Sequence, residues 1–132
     1  MNKQLNHSRS TNRLIFLFII LSFSLWAKAV PEDIAVVAAK NFYSARVNQS
    51  SNDIIIKNIN HIYHEEDILI YVIGIEPTGF VMLSGDDRLL PIIGYSTESG
   101  YSSENIPTQL LGLIDEYKRE IIFARSDYVQ TN

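Results

Sequence analysis

The stretch from Ile68 to Ile75, in the middle of the 132-residue chain, is almost unbrokenly apolar. A strand with one face in water alternates apolar and polar side chains, whereas a continuous run is typical of a strand covered on both faces. This feature constrains the fold most, because such a strand must lie inside a sheet with other elements packed against it. We therefore predict a sheet in which residues 68–75 form a central strand.

Turn signals on both sides of this run predict an antiparallel arrangement. Polar residues 64–67 precede it, and Glu76–Gly79 follows it with proline second and glycine fourth, as a tight turn prefers. Residues 84–88 turn the chain again. Because proline belongs at the start or edge of a strand, the last strand is expected to begin after Pro91. The predicted strands are Ile54–Ile62, Ile68–Ile75, Phe80–Leu83 and part of Leu89–Thr97.

A helix is predicted at each end of this sheet. Pro31 opens the first, with two acidic residues in its first turn, and it ends near Arg46. Its predicted core face carries Ile34, Val37, Ala38 and Phe42. Pro107 opens the second, whose apolar face carries Leu110, Leu113, Ile114, Tyr117 and Ile121. The fold class is α+β: one small domain with a four-stranded antiparallel meander, both helices packed on one face of the sheet.

The N-terminal residues are typical of a secretory signal peptide. Lys3, Arg9 and Arg13 precede a 13-residue apolar run at 14–26, and the sequence Ala-Lys-Ala ends at Ala29. The run is shorter than the roughly 20 residues of a spanning helix, which favours cleavage over an uncleaved anchor. We predict a signal peptide at 1–29, a domain at 30–132 and a secreted or periplasmic location.

The charge of the chain excludes some partners. After loss of residues 1–29, seven basic and 15 acidic side chains remain, giving a net charge of −8. An acidic surface argues against nucleic acid and against anionic membranes. It would either steer a cationic partner toward the domain or simply keep the protein soluble. The chain has no cysteine, so neither thiol chemistry nor a disulfide is available.

No set of residues predicts catalysis, so we expect neither an enzyme nor a cofactor. His61 and His64 are spaced i,i+3 in a strand and turn, which fits solvated turn residues better than a zinc site. Asp86 and Asp87 are adjacent carboxylates, and acid–base work is one interpretation. The favoured one is that they cap backbone N–H groups in a tight connection.

The polar segment from Glu98 to Pro107 is the best candidate site on physical grounds. It contains Gly100 and connects the last strand to the second helix, where a rigid scaffold can present it. The alternative is an ordinary solvated connection. Tyr101 is the aromatic residue in this loop that can contact a partner.

Three motifs give the chain a family resemblance. They are the segment Gly79–Arg88, with the sequence Gly-Phe-Val-Met-Leu-Ser-Gly-Asp-Asp-Arg, then Gly94–Thr97, and the triplet Glu104-Asn105-Ile106. Together they resemble the propeptide of streptopain, a secreted bacterial cysteine protease, and the related stand-alone Spi protease inhibitors. The resemblance runs from Val30 to Asp127 and is carried mainly by the first motif.

The resemblance implies a domain that covers the active-site cleft of a streptopain-like cysteine protease and disturbs its catalytic histidine. Asn105 matches the inhibitory asparagine of the family, and its amide can pair with polar groups in a narrow pocket. The implied contact residues are Asn105, Glu104, Ile106, Ser103 and Tyr101. Pro107 and the short loop before Glu104 depart from the family pattern. Inhibition would be non-covalent; the alternatives are a pro-region-like folding aid or a binding module encoded apart from its protease.

Overall fold

The computed structural model describes residues 29–130 of the chain, with side chains as far as residue 126. Helix α1 comes first, four strands follow, and helix α2 closes the domain. The bounds are α1 Glu32–Val47, β1 Ile56–His64, β2 Asp67–Ile75, β3 Phe80–Ser84, β4 Ile92–Ser96 and α2 Thr108–Gln130. The architecture confirms the predicted α+β class. The predicted signal peptide lies outside the described residues, apart from Ala29.

The four strands form one antiparallel sheet in the order β1-β2-β3-β4, as the turn signals predicted. Only Glu65 and Glu66 separate β1 from β2, and Glu65 adopts a left-handed φ of 55°. In the turn at 76–79, Gly79 has a φ of 147°, a backbone angle that residues other than glycine rarely adopt. Strand β1 begins and ends two residues later than predicted, because Ile54 still caps a short 3-10 helix at Ser51–Asp53 and the pairing with β2 continues to His64.

Strand β2 is buried from Leu69 to Ile75, which confirms it as a central strand. Its side chains alternate between two separate apolar clusters. One cluster joins α1 to Tyr71, Ile73, Ile75, Val81 and Leu83. The other joins α2 to Leu69, Ile70, Val72, Phe80, Met82 and Ile93. The helices therefore lie on opposite faces of the sheet, and the prediction that both cover one face is wrong. A strand apolar on both sides needs cover on both.

A β-bulge interrupts the alternation in β2. Ile62 pairs with Ile70 and Tyr63 pairs with Ile68, which leaves Leu69 without a partner on β1. An extra residue of this kind turns two successive side chains to one side and increases the local twist. Leu69 and Ile70 accordingly both pack in the α2 cluster.

Helix α1 packs on the sheet through a stripe of small residues. Ala35 and Ala39 are fully buried with Tyr43, whereas Ile34 and Val37 are more than half exposed. The predicted core face is thus wrong by about one residue position, although Ala38 and Phe42 do pack against the cluster. The predicted stripe with Ile34 and Val37 and the observed stripe with Ala35 and Ala39 both have helical spacing. The helix buries the alanine stripe because these small side chains let it lie close to the sheet. The α2 face matches the prediction, with Ile114 and Ile121 buried.

Candidate functional site

The loop between β4 and α2 begins at a fixed point on the last strand. Ser96 Oγ accepts hydrogen bonds from the backbone N–H groups of Glu98, at 3.2 Å, and Ser99, at 2.9 Å. A serine hydroxyl that holds the next backbone groups in this way makes a local turn. The loop therefore leaves the sheet in a defined direction.

Two of the predicted contact residues anchor the loop instead of standing out from it. The ring of Tyr101 meets the ring of Phe80 edge-on, with centroids 6.0 Å apart, and burial raises the pKa of its phenol. Ile106 packs against the α2 cluster. Aromatic edge contacts and apolar burial stabilise both ends of the segment. Tyr101 and Ile106 thus hold the loop down on the α2 side of the sheet.

The polar residues between these anchors are presented to solvent. Ser103, Glu104 and Asn105 are all exposed. Within the described part of the chain, the side-chain amide of Asn105 makes no hydrogen bond, so its two donors and its acceptor are available. The structure brings the five predicted site residues together on one loop, three outward and two inward.

The turn that follows β3 contains a buried carboxylate, Asp86, which is paired with two arginines. The Asp86 side chain is 0 % exposed, and its oxygens accept hydrogen bonds from Arg88 Nε, at 2.7 Å, and Arg125 Nε, at 3.1 Å. Burial alone would raise the pKa of Asp86. The hydrogen bonds from Arg88 and Arg125 outweigh burial and lower the pKa below its usual range. Asp86 is therefore a structural anion, which does not suit proton transfer near neutral pH.

The predicted turn-capping role of Asp86 is confirmed, because its Oδ1 accepts the backbone N–H of Arg88 at 3.2 Å. The tie to the distal half of α2 was not predicted. Arg125 also donates to the carbonyl of Ile68 at 3.1 Å, and Arg88 donates to that of Ala124 at 2.7 Å. One signal was present in the sequence: Arg125 follows Ile121 by four residues and so continues the apolar stripe of α2.

The residues that precede α1 are fixed to the same turn. Val30 N–H donates to the carbonyl of Gly85 at 3.0 Å, and Tyr71 Oη donates to the carbonyl of Val30 at 2.7 Å. His61 Nε2 lies 2.6 Å from a carboxylate oxygen of Glu32. His61 is thus engaged with α1, while His64 is exposed at the end of β1. Residues 29–130 contain no group of three or more His, Asp or Glu side chains placed to hold a metal ion.

No helix in the described part of the chain is both long and apolar enough to cross a bilayer.

The fold and loop together define a small α+β domain that presents three polar side chains from a loop anchored at both ends. A loop of this kind on a rigid scaffold is typical of a recognition site.

The chain belongs to the Spi protease inhibitor family, whose model matches residues 27–121. It is also similar to the thiol protease/hemagglutinin PrtT of Porphyromonas gingivalis, with 28 % identity over 102 residues. That match covers 74 % of this chain and 12 % of the relative, so the chain spans about an eighth of the relative's length. No solved structure matches the chain.

Proposed function

We propose that this chain is a secreted, non-covalent inhibitor of a streptopain-like cysteine protease, which it silences by covering the active-site cleft. Membership in an inhibitor family supports a protease as the partner, and the similarity to a thiol protease supports the cysteine class. The observation that carries the proposal is the exposed, unbonded amide of Asn105 on a loop held at both ends.

The loop would act by steric exclusion. Its anchors at Tyr101 and Ile106 restrict the backbone before binding, so less conformational entropy is lost when the protease is engaged. The amide of Asn105 carries no charge, so it can enter a narrow pocket at a lower desolvation cost than a charged side chain, and pairing with polar groups there offsets that cost. A stable complex of this type buries roughly 800 Å² on each partner, so residues around the loop must contribute as well.

Asn105→Ala tests the proposal directly. Removing the amide would leave polar groups of the protease unpaired, and a central contact of that kind is worth about 2 kcal/mol, or roughly thirtyfold in affinity. The measurement is the inhibition constant against any streptopain-like cysteine protease that the same genome encodes. The melting temperature should not change, because an exposed loop side chain contributes within about 0.5 kcal/mol to folding.

Asn52→Ala is the matched control. Asn52 is also exposed, but it precedes β1, the strand at the opposite edge of the sheet from β4. It should inhibit like the wild type. If Asn105→Ala inhibits as well as Asn52→Ala does, the loop does not enter the cleft.

One observation favours a second function. The match to PrtT covers a small part of a much longer thiol protease, which fits a pro-region that assists folding. Refolding the denatured protease with and without this chain separates the two functions. A folding aid raises the final yield of active enzyme, whereas an inhibitor keeps the folded enzyme silent for as long as both are present.

A further inference from the structure

A second surface beside the loop has the composition of a binding site. Arg46, in the last turn of α1, lies with its guanidinium carbon 4.4 Å from the ring centre of Phe42 and 5.6 Å from that of Tyr95. The two rings meet edge-on with centroids 5.0 Å apart. We call these three residues the Arg46 patch. Tyr95 is 47 % exposed and Arg46 is exposed, so the patch faces solvent.

The guanidinium of this patch lies over an aromatic ring and has no carboxylate partner among the described residues. No ion pair formed among the described residues involves Arg46, although Arg88, Arg125 and His61 all have carboxylate partners. Stacking on aromatic rings fixes the plane of a guanidinium and leaves its N–H donors at the rim. A fixed fork of donors binds a carboxylate through two parallel hydrogen bonds. The chemistry that complements this patch is therefore an aspartate or glutamate side chain.

The patch and the loop lie on the two sides of one sheet edge. Tyr95 pairs with Val81, whose side chain belongs to the α1 cluster, so the patch lies on the α1 side. The loop leaves β4 just after Ser96 and packs through Tyr101 on Phe80, on the α2 side. Strand β4 is the last in the sheet, so no strand within residues 29–130 pairs with its outer edge, which runs between the two surfaces. A partner that covers this edge touches both surfaces.

We propose that the Arg46 patch is a second contact for the same protease and binds a carboxylate on the rim of its cleft. This rests on the proposed function, because it places the partner of the loop over the β4 edge. Arginine and tyrosine are the residue types that most often carry interface energy. The contact would add affinity and fix the orientation in which the loop enters.

The test compares Arg46→Gln with Arg119→Gln in the full secreted chain. Arg119 is exposed on α2 and forms no ion pair with the described residues, so both variants lose the same charge. Binding to the same protease as in the Asn105→Ala test is measured by surface plasmon resonance across salt concentrations. We expect Arg46→Gln to raise Kd at least about tenfold relative to Arg119→Gln. The Kd of Arg46→Gln should also change less with salt concentration than that of Arg119→Gln. Arg46→Lys should recover only part of the loss, because lysine lacks the planar fork.

The outcomes separate the two proposals. If wild type binds and Asn105→Ala weakens it, while both glutamine variants bind equally, the Arg46 patch is not a contact and the loop proposal stands. If the wild type does not bind the protease, both proposals fail. Thermal melts of every variant identify a loss of binding that reflects unfolding.

Discussion

Replacing Asp86 with alanine tests the cluster that holds α2 to the sheet. The substitution removes a carboxylate that is 0 % exposed and leaves Arg88 and Arg125 facing a cavity. Removing one partner of a buried ion pair costs about 3–5 kcal/mol. The two arginine side chains remain 25 % and 22 % exposed, so water can solvate them in part, and we expect the lower end, about 3 kcal/mol. In a domain of this size, each kcal/mol of unfolding free energy that is lost lowers Tm by at least about 4 °C, so Tm should fall by roughly 12 °C or more.

The assay is thermal unfolding followed by circular dichroism, with Asp87→Ala as the control. Asp87 is exposed and adjacent, so its removal should change the free energy of unfolding by no more than about 0.5 kcal/mol. Inhibition by Asp86→Ala, measured well below its Tm, should change much less than its stability does. Equal melting temperatures for the two variants would refute the idea that the cluster stabilises the fold.

The same variant predicts a pH dependence. The pKa of Asp86 in the folded protein lies below the ordinary value of 3.8, because hydrogen bonds from Arg88 and Arg125 overcome the effect of burial. A depressed carboxyl pKa adds stability above the pKa of the unfolded chain, and that stability is lost as the pH falls through the folded value. The wild-type and Asp86→Ala melting temperatures should therefore differ most above about pH 4 and converge in more acidic solution. A constant difference between pH 7 and pH 3 would contradict the assignment.

Two further predictions concern the turn at Gly79 and the N-terminus. Gly79→Ala should destabilise the domain by about 2 kcal/mol, because φ is 147° and the new Cβ would lie 2.4 Å from Tyr43 Oη. Gly112 lies in α2, where an added Cβ would meet nothing within 4 Å, so Gly112→Ala should instead stabilise the helix by about 1 kcal/mol. Equal melting temperatures for Gly79→Ala and Gly112→Ala would contradict the strain argument. Mass spectrometry of the exported protein should find Val30 at the N-terminus, and a product that retains residues 1–29 would show that the signal peptide prediction is wrong.

Local patterns in the sequence were enough to predict the sheet. The apolar run at 68–75 and the turn residues around it determine a meander, because each strand pairs with its neighbour along the chain. The face of α2 was also predictable, since large apolar residues mark it at helical spacing. The face of α1 was not, because Ala35 and Ala39 carry little hydrophobic signal although they are the most buried residues of that helix.

Features that depend on distant residues could not be read from spacing. The apolar run of β2 indicated cover on both faces of the sheet, but which helix reaches which face depends on contacts between residues far apart in the sequence. The contact between Asp86 and Arg125 spans 39 residues and appears only after the chain has folded. The loop at 98–107 was predictable as a polar connection, and its resemblance to a known family pointed to Asn105. The inward placement of Tyr101 and Ile106 required the packed structure.

The bulge at Leu69 has a consequence for changes in chain length. Deleting one residue from a buried strand usually turns every following side chain to the opposite face. At Leu69 it would not, because Ile68 packs on the α1 side and Ile70 on the α2 side, so their alternation survives without the residue between them. The apolar contacts of Leu69 would be lost, and so would the hydrogen bond that its carbonyl accepts from Gly85 N–H at 2.7 Å. Position 69 is therefore where β2 can lose a residue during evolution while its register with β3 stays intact.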